Sequence, residues 1–425
     1  MRQTARSRWV ALTGVAVAGA LALTACSSSS DSTESSAAAS APAESAAAEG
    51  SAEECAELTP VNLQLQWFAQ AQFGGYYAAK DKGFYEAQCL DVTILEGGVD
   101  IVPQTALAQG NADFAIAWVP KALASREQGA GIVNVAQVFQ KSGTLQVSWA
   151  DSGISTPADF KGKKIGNWGF GNEFEVFAAI TQAGLDPAAD VELVQQQFDM
   201  QGLLNREIDA AEAMTYNEYA QLLETVNPDT GALYTPEDFS VISYEEVGVG
   251  MLQDAIWANE EKLAGDAAYQ DVTQKFVTAS LEGWVYCRDN AQECADIVTA
   301  NGSKLGASHQ LWMMNEVNKL IWPSPAGVGV MDPAKWQQTV DISLNTKNLE
   351  GSTVITAEPA EGSWTDQYAV AANATLEGMG LNTTGDAFAP IEVTLNAGGN
   401  CPSARLEGAG PEGPAPSRVC GLCPE

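Results

Sequence analysis

Seven residues at or just beyond predicted strand ends carry the aromatic rings or carboxylates that bind planar molecules with polar edges. Stacked aromatic contacts contribute about 0.5–1.5 kcal/mol each beyond the area they bury. A hydrogen bond to a charged group contributes about 1.5–3 kcal/mol. If the strand ends meet at one cleft, the set predicts a site for a flat heterocycle: Trp67, Tyr76, Trp118, Trp168, Glu173, Tyr216 and Glu218.

Two acids of this set offer acceptors for an amino group on such a ring. We expect Glu173 to fill this role first and Glu218 second, with Gln72, Asn172 and Asn217 binding the remaining polar edges. A carboxylate accepts from an exocyclic amine while a ring nitrogen is protonated or donates. Each residue alone is compatible with a structural role, so the prediction rests on the set.

The segment 63–93 is predicted to form a strand, a helix and a second strand. Apolar residues alternate with polar ones at both ends, and aromatic residues between them fall on one helical face. Lys82-Gly83 is predicted to end that helix. In open α/β sheets, ligands bind beyond the carboxyl ends of strands, which is where Trp67 lies. We interpret Phe73 and Phe84 as core residues.

Strands and helices continue to alternate after this unit, a pattern typical of parallel sheets. The strand over 113–117 presents Trp118, and the strand over 164–168 is followed by glycines and a helix from Phe174. Residues 145–150 are predicted to cross into a second domain, and residues 241–252 to return. The predicted domains are 58–147 with 252–388, and 148–251, followed by a Cys/Gly/Pro-rich tail over 389–425.

The N-terminus is typical of an exported lipoprotein. Three arginines precede an apolar stretch that is short for a membrane span, and Leu23-Thr24-Ala25-Cys26 fits a lipobox. We expect cleavage of the signal peptide 1–25 and lipidation of Cys26. Residues 26–57 are predicted to be a Ser/Ala-rich tether, holding the protein on the outer face of the cell membrane.

Charge and residue content exclude several classes of function. Without residues 1–25, 18 basic residues face 54 acidic ones, a net charge of −36, which argues against nucleic acid and anionic lipid surfaces. His309 is the single histidine, so acid–base or Ser/His catalysis and a zinc site lack a key group. We therefore predict no enzyme activity, no cofactor and no metal.

Eight cysteines leave seven after Cys26. Because export permits disulfides, Cys55 can pair with Cys89, and Cys287 with Cys294. Three cysteines remain in the tail, so either one is free or these pairings are wrong.

Residues 67–94, WFAQAQFGGYYAAKDKGFYEAQCLDVTI, resemble the opening of ABC-transporter solute-binding proteins of the thiamine-pyrimidine, sulfonate and nitrate group. TPADFKGKKIG at 156–166 resembles that group's second-domain start. The Trp, the glutamines, the Tyr pair and MTYNEY at 214–219 are most similar to the thiamine-pyrimidine branch. The resemblance implies an α/β fold of periplasmic-binding-protein type II, two domains with a ligand cleft at the hinge.

The resemblance also implies a monomeric receptor that delivers a thiamine-precursor pyrimidine to an ABC permease and its ATPase. Riboflavin or another flat heterocycle is the alternative ligand, followed by a sulfonate or nitrate. Pyrimidine synthases share the fold, but they require an active-site histidine and a cysteine-rich iron motif. Here His309 stands alone and no cysteine cluster lies in the core segments.

Overall fold

The computed structural model describes residues 55–169 and 171–399, and the structural statements below concern these residues. The predicted signal peptide, Cys26, most of the tether and the last three cysteines lie outside them. Two five-stranded sheets form the framework. The strands are β1 (Thr59–Gln64), β2 (Leu90–Leu95), β3 (Phe114–Trp118), β4 (Ile132–Gln137), β5 (Thr144–Trp149), β6 (Lys164–Asn167), β7 (Glu192–Gln195), β8 (Ala210–Met214), β9 (Phe239–Ser243) and β10 (Asp254–Asn259).

Helices connect and cover these strands. The α-helices are α1 (Gly74–Asp81), α2 (Phe84–Ala87), α3 (Pro103–Ala108), α4 (Val119–Glu127), α5 (Phe174–Gln182), α6 (Gln201–Leu204), α7 (Glu218–Leu223), α8 (Glu260–Gly265), α9 (Ala267–Asp289), α10 (Ala291–Ala300), α11 (Ala307–Ile321), α12 (Pro333–Asn345) and α13 (Gln367–Gly378). Short 3-10 helices occupy Ala71–Phe73, Ala150–Ser152, Pro157–Phe160, Pro236–Asp238 and Ala397–Gly399.

The expectation of purely parallel sheets is wrong in one respect. The first sheet has the order β2-β1-β3-β10-β4 and the second β7-β6-β8-β5-β9, and in each sheet one strand, β10 or β5, runs antiparallel to its neighbours. These are the strands that the chain forms on arriving from the other sheet. Because it arrives at the carboxyl edge, the new strand must run in the opposite direction.

Both faces of each sheet are covered. Helices α1, α9, α10, α11 and α13 pack on one face of the first sheet, and α3, α4 and α12 on the other. This burial explains the continuous apolar run of β3, FAIAW, since a strand covered on both faces has no solvent side. The second sheet is likewise packed between two apolar clusters, one containing α5 and one containing α6 and α7.

Helix α1 is fixed by close backbone contact with α9. A Cβ on Gly283 would lie 2.0 Å from the carbonyl oxygen of Gly75, so only glycine allows this approach. The helix ends at Asp81, and Gly83 adopts a left-handed φ of 74°, as the Lys82-Gly83 pair predicts. Phe84 follows this turn as the first residue of the short helix α2 and packs, partly buried, against the core of the first sheet.

Two chain crossings join the sheets, and one side chain ties them together. The Gln253 amide donates to Thr144 Oγ1 at 2.8 Å and accepts from the Gly143 N–H at 2.9 Å. The Glu175 carboxylate accepts from the Met251 N–H at 2.6 Å, which attaches α5 to the returning segment. The connections are therefore bonded to each other. The second sheet takes its strands from residues 144–243, and the predicted domain boundaries stay a prediction.

Both predicted disulfides are present, Cys55–Cys89 and Cys287–Cys294. No helix among the described residues is both long and apolar enough to span a membrane. In the same part of the chain, no group of three or more His, Cys, Asp or Glu side chains is arranged to hold a metal ion.

The two disulfides should differ in their contribution to stability. Cys55–Cys89 closes a separation of 34 residues and Cys287–Cys294 one of 7. By loop-closure entropy, replacing the first pair with alanine should lower the free energy of unfolding by about 3.8 kcal/mol, against about 2.4 kcal/mol for the second. Urea unfolding of the two double variants measures this. Equal losses, or a larger loss for the second pair, would contradict the loop-closure explanation.

Candidate functional site

The carboxyl edges of the two sheets meet at a cleft, which we define by Trp67 and the residues that share its surroundings. Trp168 and Tyr216, from the second sheet, belong to the same buried core cluster as Tyr76 from α1. Trp67 and Trp118 pack against that cluster from the ends of β1 and β3. The structure therefore places all five aromatic residues predicted from the sequence in or against one apolar cluster.

Asp254 is the buried acid of this cleft, and the sequence analysis missed it. It is the first residue of β10 and lies opposite Trp118 in the register with β3, with a side chain that is almost fully buried. Its Oδ2 accepts from Gln72 Nε2 at 2.9 Å, and its Oδ1 accepts from Gln66. Both glutamines belong to the turn after β1. The predicted residue Gln72 therefore holds the acid.

Burial raises the pKa of Asp254 to about 7, because a low-dielectric environment disfavours the charged carboxylate. The amide of Gln72, the side chains of Trp118 and Gln66, and the positive charge of Lys121 act in the opposite direction. The acid therefore exchanges its proton near neutral pH. In its protonated form it donates one hydrogen bond, and in either form its oxygens accept more than one.

Two tyrosines border Asp254. Tyr76 and Tyr216 are buried, and burial, followed by the charge of Asp254, raises the pKa of each well above its usual value. Both phenols therefore stay neutral at physiological pH. The Tyr76 hydroxyl and the Trp118 indole N–H make no hydrogen bond of normal geometry among the described residues, although the Trp118 side chain lies close enough to Asp254 to lower its pKa. Polar atoms of this kind suit the polar edge of a ligand.

Glu212 is the corresponding buried acid of the second sheet. It lies on β8, its side chain is fully buried, and its Oε2 accepts from the Trp168 N–H at 2.8 Å. Its Oε1 has no partner within the described residues. Burial raises its pKa well above the usual value, and the neighbouring acids Glu175 and Glu173 add to the shift. Glu212 therefore positions the Trp168 backbone and keeps one carboxyl oxygen unbonded among the described residues.

Lys121 brings a positive charge to the same place. It lies near the start of α4, with its ammonium group 5.2 Å from the centre of the Trp118 ring. Burial lowers its pKa to about 8, while the charges of Glu212, Glu173 and Asp254 raise it. Its ammonium group forms no salt bridge among the described residues. The lysine therefore faces acids from both sheets without pairing with any of them.

The predicted polar residues at the two helix starts are engaged locally. Glu173 accepts from the Gly171 N–H at 2.8 Å, and the Asn172 amide donates to the Gly169 carbonyl at 2.9 Å, so both stabilise the turn before α5. Glu173 still contributes to the electrostatics of Lys121 and Glu212.

Asn217 and Glu218 belong to a buried network beside the cleft. Glu218 accepts from the Met214 N–H at 2.9 Å and from the Asn217 amide at 2.7 Å, and burial raises its pKa to about 7. Asn217 Oδ1 lies 3.0 Å from His309 Nε2, and His309 Nδ1 lies 3.0 Å from Glu224. Asn217 and Glu224, which flank α7, therefore join this helix to α11 through His309. Ligand binding by Asn217 and Glu218 stays a prediction.

A family model described as "NMT1/THI5 like" matches residues 70–294, more than half of the chain. This chain belongs to the NMT1/THI5-like family. The family resemblance inferred from the opening segment is confirmed.

Three curated relatives share part of this NMT1/THI5-like chain. A Haemophilus influenzae protein named for thiamine biosynthesis is 26% identical over 189 residues, 44% of this chain and 60% of that protein. The formylaminopyrimidine-binding protein of Halalkalibacterium halodurans is 21% identical over 252 residues, 59% and 73% of the two chains. The riboflavin-binding protein RibY of Chloroflexus aurantiacus is 25% identical over 244 residues, 56% and 66%. The match therefore spans less than two thirds of the Haemophilus and Chloroflexus proteins.

Solved structures establish the fold. The periplasmic sulfonate-binding protein SsuA of Methylobacillus flagellatus superposes with a TM-score of 0.57 at 16% identity, covering 80% of this chain and 99% of that one. The aliphatic sulphonate binding protein SsuA of Escherichia coli gives 0.51 at 15% identity, with 85% and 98% covered. The NMT1/THI5-like chain thus has the α/β fold of periplasmic solute-binding proteins, which confirms the predicted fold class.

The buried acids predict a pH-dependent stability. Asp254 keeps its proton up to about pH 7 when folded but ionises near pH 4 when unfolded. An acid whose pKa is higher in the folded than in the unfolded state contributes its full stability to the folded protein below the unfolded pKa. This contribution is lost as the pH rises from the unfolded pKa through the folded pKa. Between about pH 5 and 7 the contribution should fall by about 1.4 kcal/mol per pH unit. Asp254→Asn should remove this slope.

Urea unfolding at several pH values measures the difference in free energy of unfolding between wild type and Asp254→Asn. Only the change of this difference with pH is interpreted, because the substitution itself can add a constant amount. Asp271→Asn, an exposed acid on α9, is the control and should leave the slope unchanged. A difference between wild type and Asp254→Asn that does not vary with pH would show that Asp254 is ionised in the folded protein.

Proposed function

We propose that this chain is the extracytoplasmic solute-binding component of an ABC importer that captures a planar heterocycle bearing an amino group. An aminopyrimidine of the hydroxymethylpyrimidine or formylaminopyrimidine type fits best. The observation that carries the proposal is Asp254, a buried acid supported by two amide donors and bordered by aromatic residues from both sheets. Burial of an acid is costly unless donors converge on it, and the amino group of a ligand would add a donor to the two glutamine amides.

An aminopyrimidine matches the acid in both protonation states. The protonated acid donates to a ring nitrogen while its other oxygen accepts from the exocyclic amine. The carboxylate pairs with a protonated ring in the same geometry. A pKa near 7 makes both forms available. Asp254 therefore suits the role that the sequence analysis gave to Glu173, whose carboxylate is held by the Gly171 N–H.

The surroundings of Asp254 match the rest of such a ligand. Trp67, Tyr76, Trp118, Trp168 and Tyr216 provide flat apolar faces. Three of these residues also carry a buried polar atom that makes no hydrogen bond of normal geometry among the described residues: the Tyr76 hydroxyl and the Trp118 and Trp168 indole N–H groups. These atoms can donate to the acceptor edge of a ring. A polar-edged aromatic ligand thus fits better than a purely apolar one.

The charge of the cleft argues against an oxyanion. Lys121 lies among Glu173, Glu212 and Asp254, and the whole chain carries a net charge of −33. A sulfonate or nitrate would approach carboxyl groups and a single ammonium group, with long-range repulsion from the protein. The similarity to sulfonate-binding structures supports the fold and not their ligand. A flavin remains the second candidate, because RibY aligns with 56% of this chain.

Catalysis has no support from the histidine. His309 lies on α11 with both ring nitrogens engaged, one by Glu224 and one by Asn217. It therefore has no free nitrogen to offer a substrate at Asp254. We infer a binding protein and not a pyrimidine synthase.

The proposed location and partners follow from the same role. The two disulfides are consistent with an oxidising compartment. We infer export through the signal peptide 1–25, anchoring through a lipid on Cys26, and delivery of the ligand as a monomer to a permease with its ATPase. Globomycin treatment, which blocks lipoprotein signal cleavage, with mass spectrometry of the N-terminal peptide tests the anchor.

Calorimetry and thermal shift with hydroxymethylpyrimidine, its formylated amine, thiamine, riboflavin, taurine and nitrate test the ligand class. An amine-bearing pyrimidine should stabilise the protein by about 2.7 kcal/mol at 100 times its dissociation constant. Trp67→Ala should weaken it at least about tenfold, about 1.4 kcal/mol. Asp254→Asn should weaken it more than Glu173→Gln does.

The matched control is Trp364→Ala, because Trp364 is half-buried and packs against Trp336 on the α12 side of the first sheet. It should leave affinity unchanged. Binding of taurine or nitrate with the pyrimidines and riboflavin silent would overturn the proposal. A larger effect of Glu173→Gln than of Asp254→Asn would return the recognition of the amine to Glu173.

A further inference from the structure

One aromatic residue outside the predicted set contacts walls of the cleft from both sheets. Phe198 lies between β7 and α6, with its ring centre 5.0 Å from Trp67 and 6.1 Å from Trp168. It is nearly parallel to Trp168, at 16°, and tilted by 49° against Trp67. Its phenyl ring thus lies parallel to Trp168, as a stacked ligand would, and packs obliquely against Trp67.

The residues beside Phe198 are fixed, whereas Phe198 itself is 38% exposed. The Gln196 amide donates to the Glu212 carbonyl and accepts from the Glu212 N–H, both at 2.8 Å. On the other side, Met200 is buried in the second sheet's core. With the backbone attached at both ends, rotation of one side chain suffices to move the ring out of the cleft.

The open space beside the cleft is too small for a ligand ring. The crevice lined by Trp118, Gly171 and Gln253, which Phe198 does not line, holds about 10 Å³, room for one water molecule at most. A pyrimidine needs more space than this. A phenyl ring and a pyrimidine ring have the same outline, so a pyrimidine can take the place of the Phe198 ring against Trp168 and Trp67.

We propose that Phe198 is an internal competitor: in the ligand-free protein its ring occupies the slot between Trp67 and Trp168, and the ligand displaces it. This inference rests on the proposed function, since it presumes a flat ligand between these walls. Binding then requires loss of the Phe198 contacts, so the protein holds its ligand less tightly than the open slot would. Contacts of this size correspond to about a two- to tenfold loss of affinity.

The test combines a ligand-free and a ligand-bound measurement on protein labelled with 5-fluorotryptophan. Fluorine NMR signals are assigned with Trp67→Phe and Trp168→Phe. In the ligand-free protein, Phe198→Ala should shift both signals, because the ring current of Phe198 is removed. Hydroxymethylpyrimidine and riboflavin serve as the probes in calorimetry. Phe198→Ala and Phe198→Leu should each bind the pyrimidine about two- to tenfold more tightly than wild type.

Phe84→Ala is the matched control, because Phe84 is a half-buried aromatic that contacts Tyr286. It should change neither the two signals nor the affinity. Unchanged or weaker binding by the Phe198 variants would overturn the inference and leave the proposed function intact, since Phe198 would then be a bystander or a wall of the site. If neither wild type nor the variants bind any probe, the proposed function fails, and the inference with it.

Discussion

A buried carboxyl group needs hydrogen-bond donors, and the burial of Asp254 requires the chain to bring two glutamine amides to it. It lies where the chain re-enters the first sheet. Because β10 runs antiparallel, its first residue reaches the edge at which β1 and β3 end. Gln66 and Gln72 come to the same edge from the turn after β1. Topology and site chemistry thus depend on each other.

The connections between the sheets extend this dependence. Gln253 precedes Asp254 and bonds to the outgoing segment at Gly143 and Thr144. Glu175 holds the returning segment at Met251. A displacement of one connection therefore acts on the other, and both act on the position of the acid. The recognition group and the joint between the sheets are neighbours in sequence.

The sequence predicts those parts of the structure that depend on local pattern. Alternation of apolar residues locates β1 and β2, and the glycine stop locates the end of α1. Because strand ends gather at one edge, Trp67 and Trp118 are predictable as cleft residues. The pairing of Cys55 with Cys89 follows from their places at the two ends of one unit.

The remaining parts depend on distant contacts that no local pattern contains. Asp254 is separated from Gln66 by 188 residues and from Gln72 by 182, so nothing beside it in sequence marks it as a buried acid. The acids Glu173 and Glu218 stand next to aromatic residues and attract attention instead. Asn217 is bonded to His309, 92 residues away, so its side-chain oxygen is already engaged within the protein.

The placement of cleft residues beyond the strands also bears on how such a protein changes in evolution. The backbone hydrogen bonds of both sheets lie within strands β1 to β10, whereas Trp67, Trp168 and Tyr216 come after strands β1, β6 and β8 in the chain. Substitution of a side chain there alters the surface offered to a ligand and leaves the pairing of the strands unchanged. Trp168 and Tyr216 are also buried core residues, so a replacement there must keep their volume, whereas the partly buried Trp67 can change the ligand at a lower cost in stability.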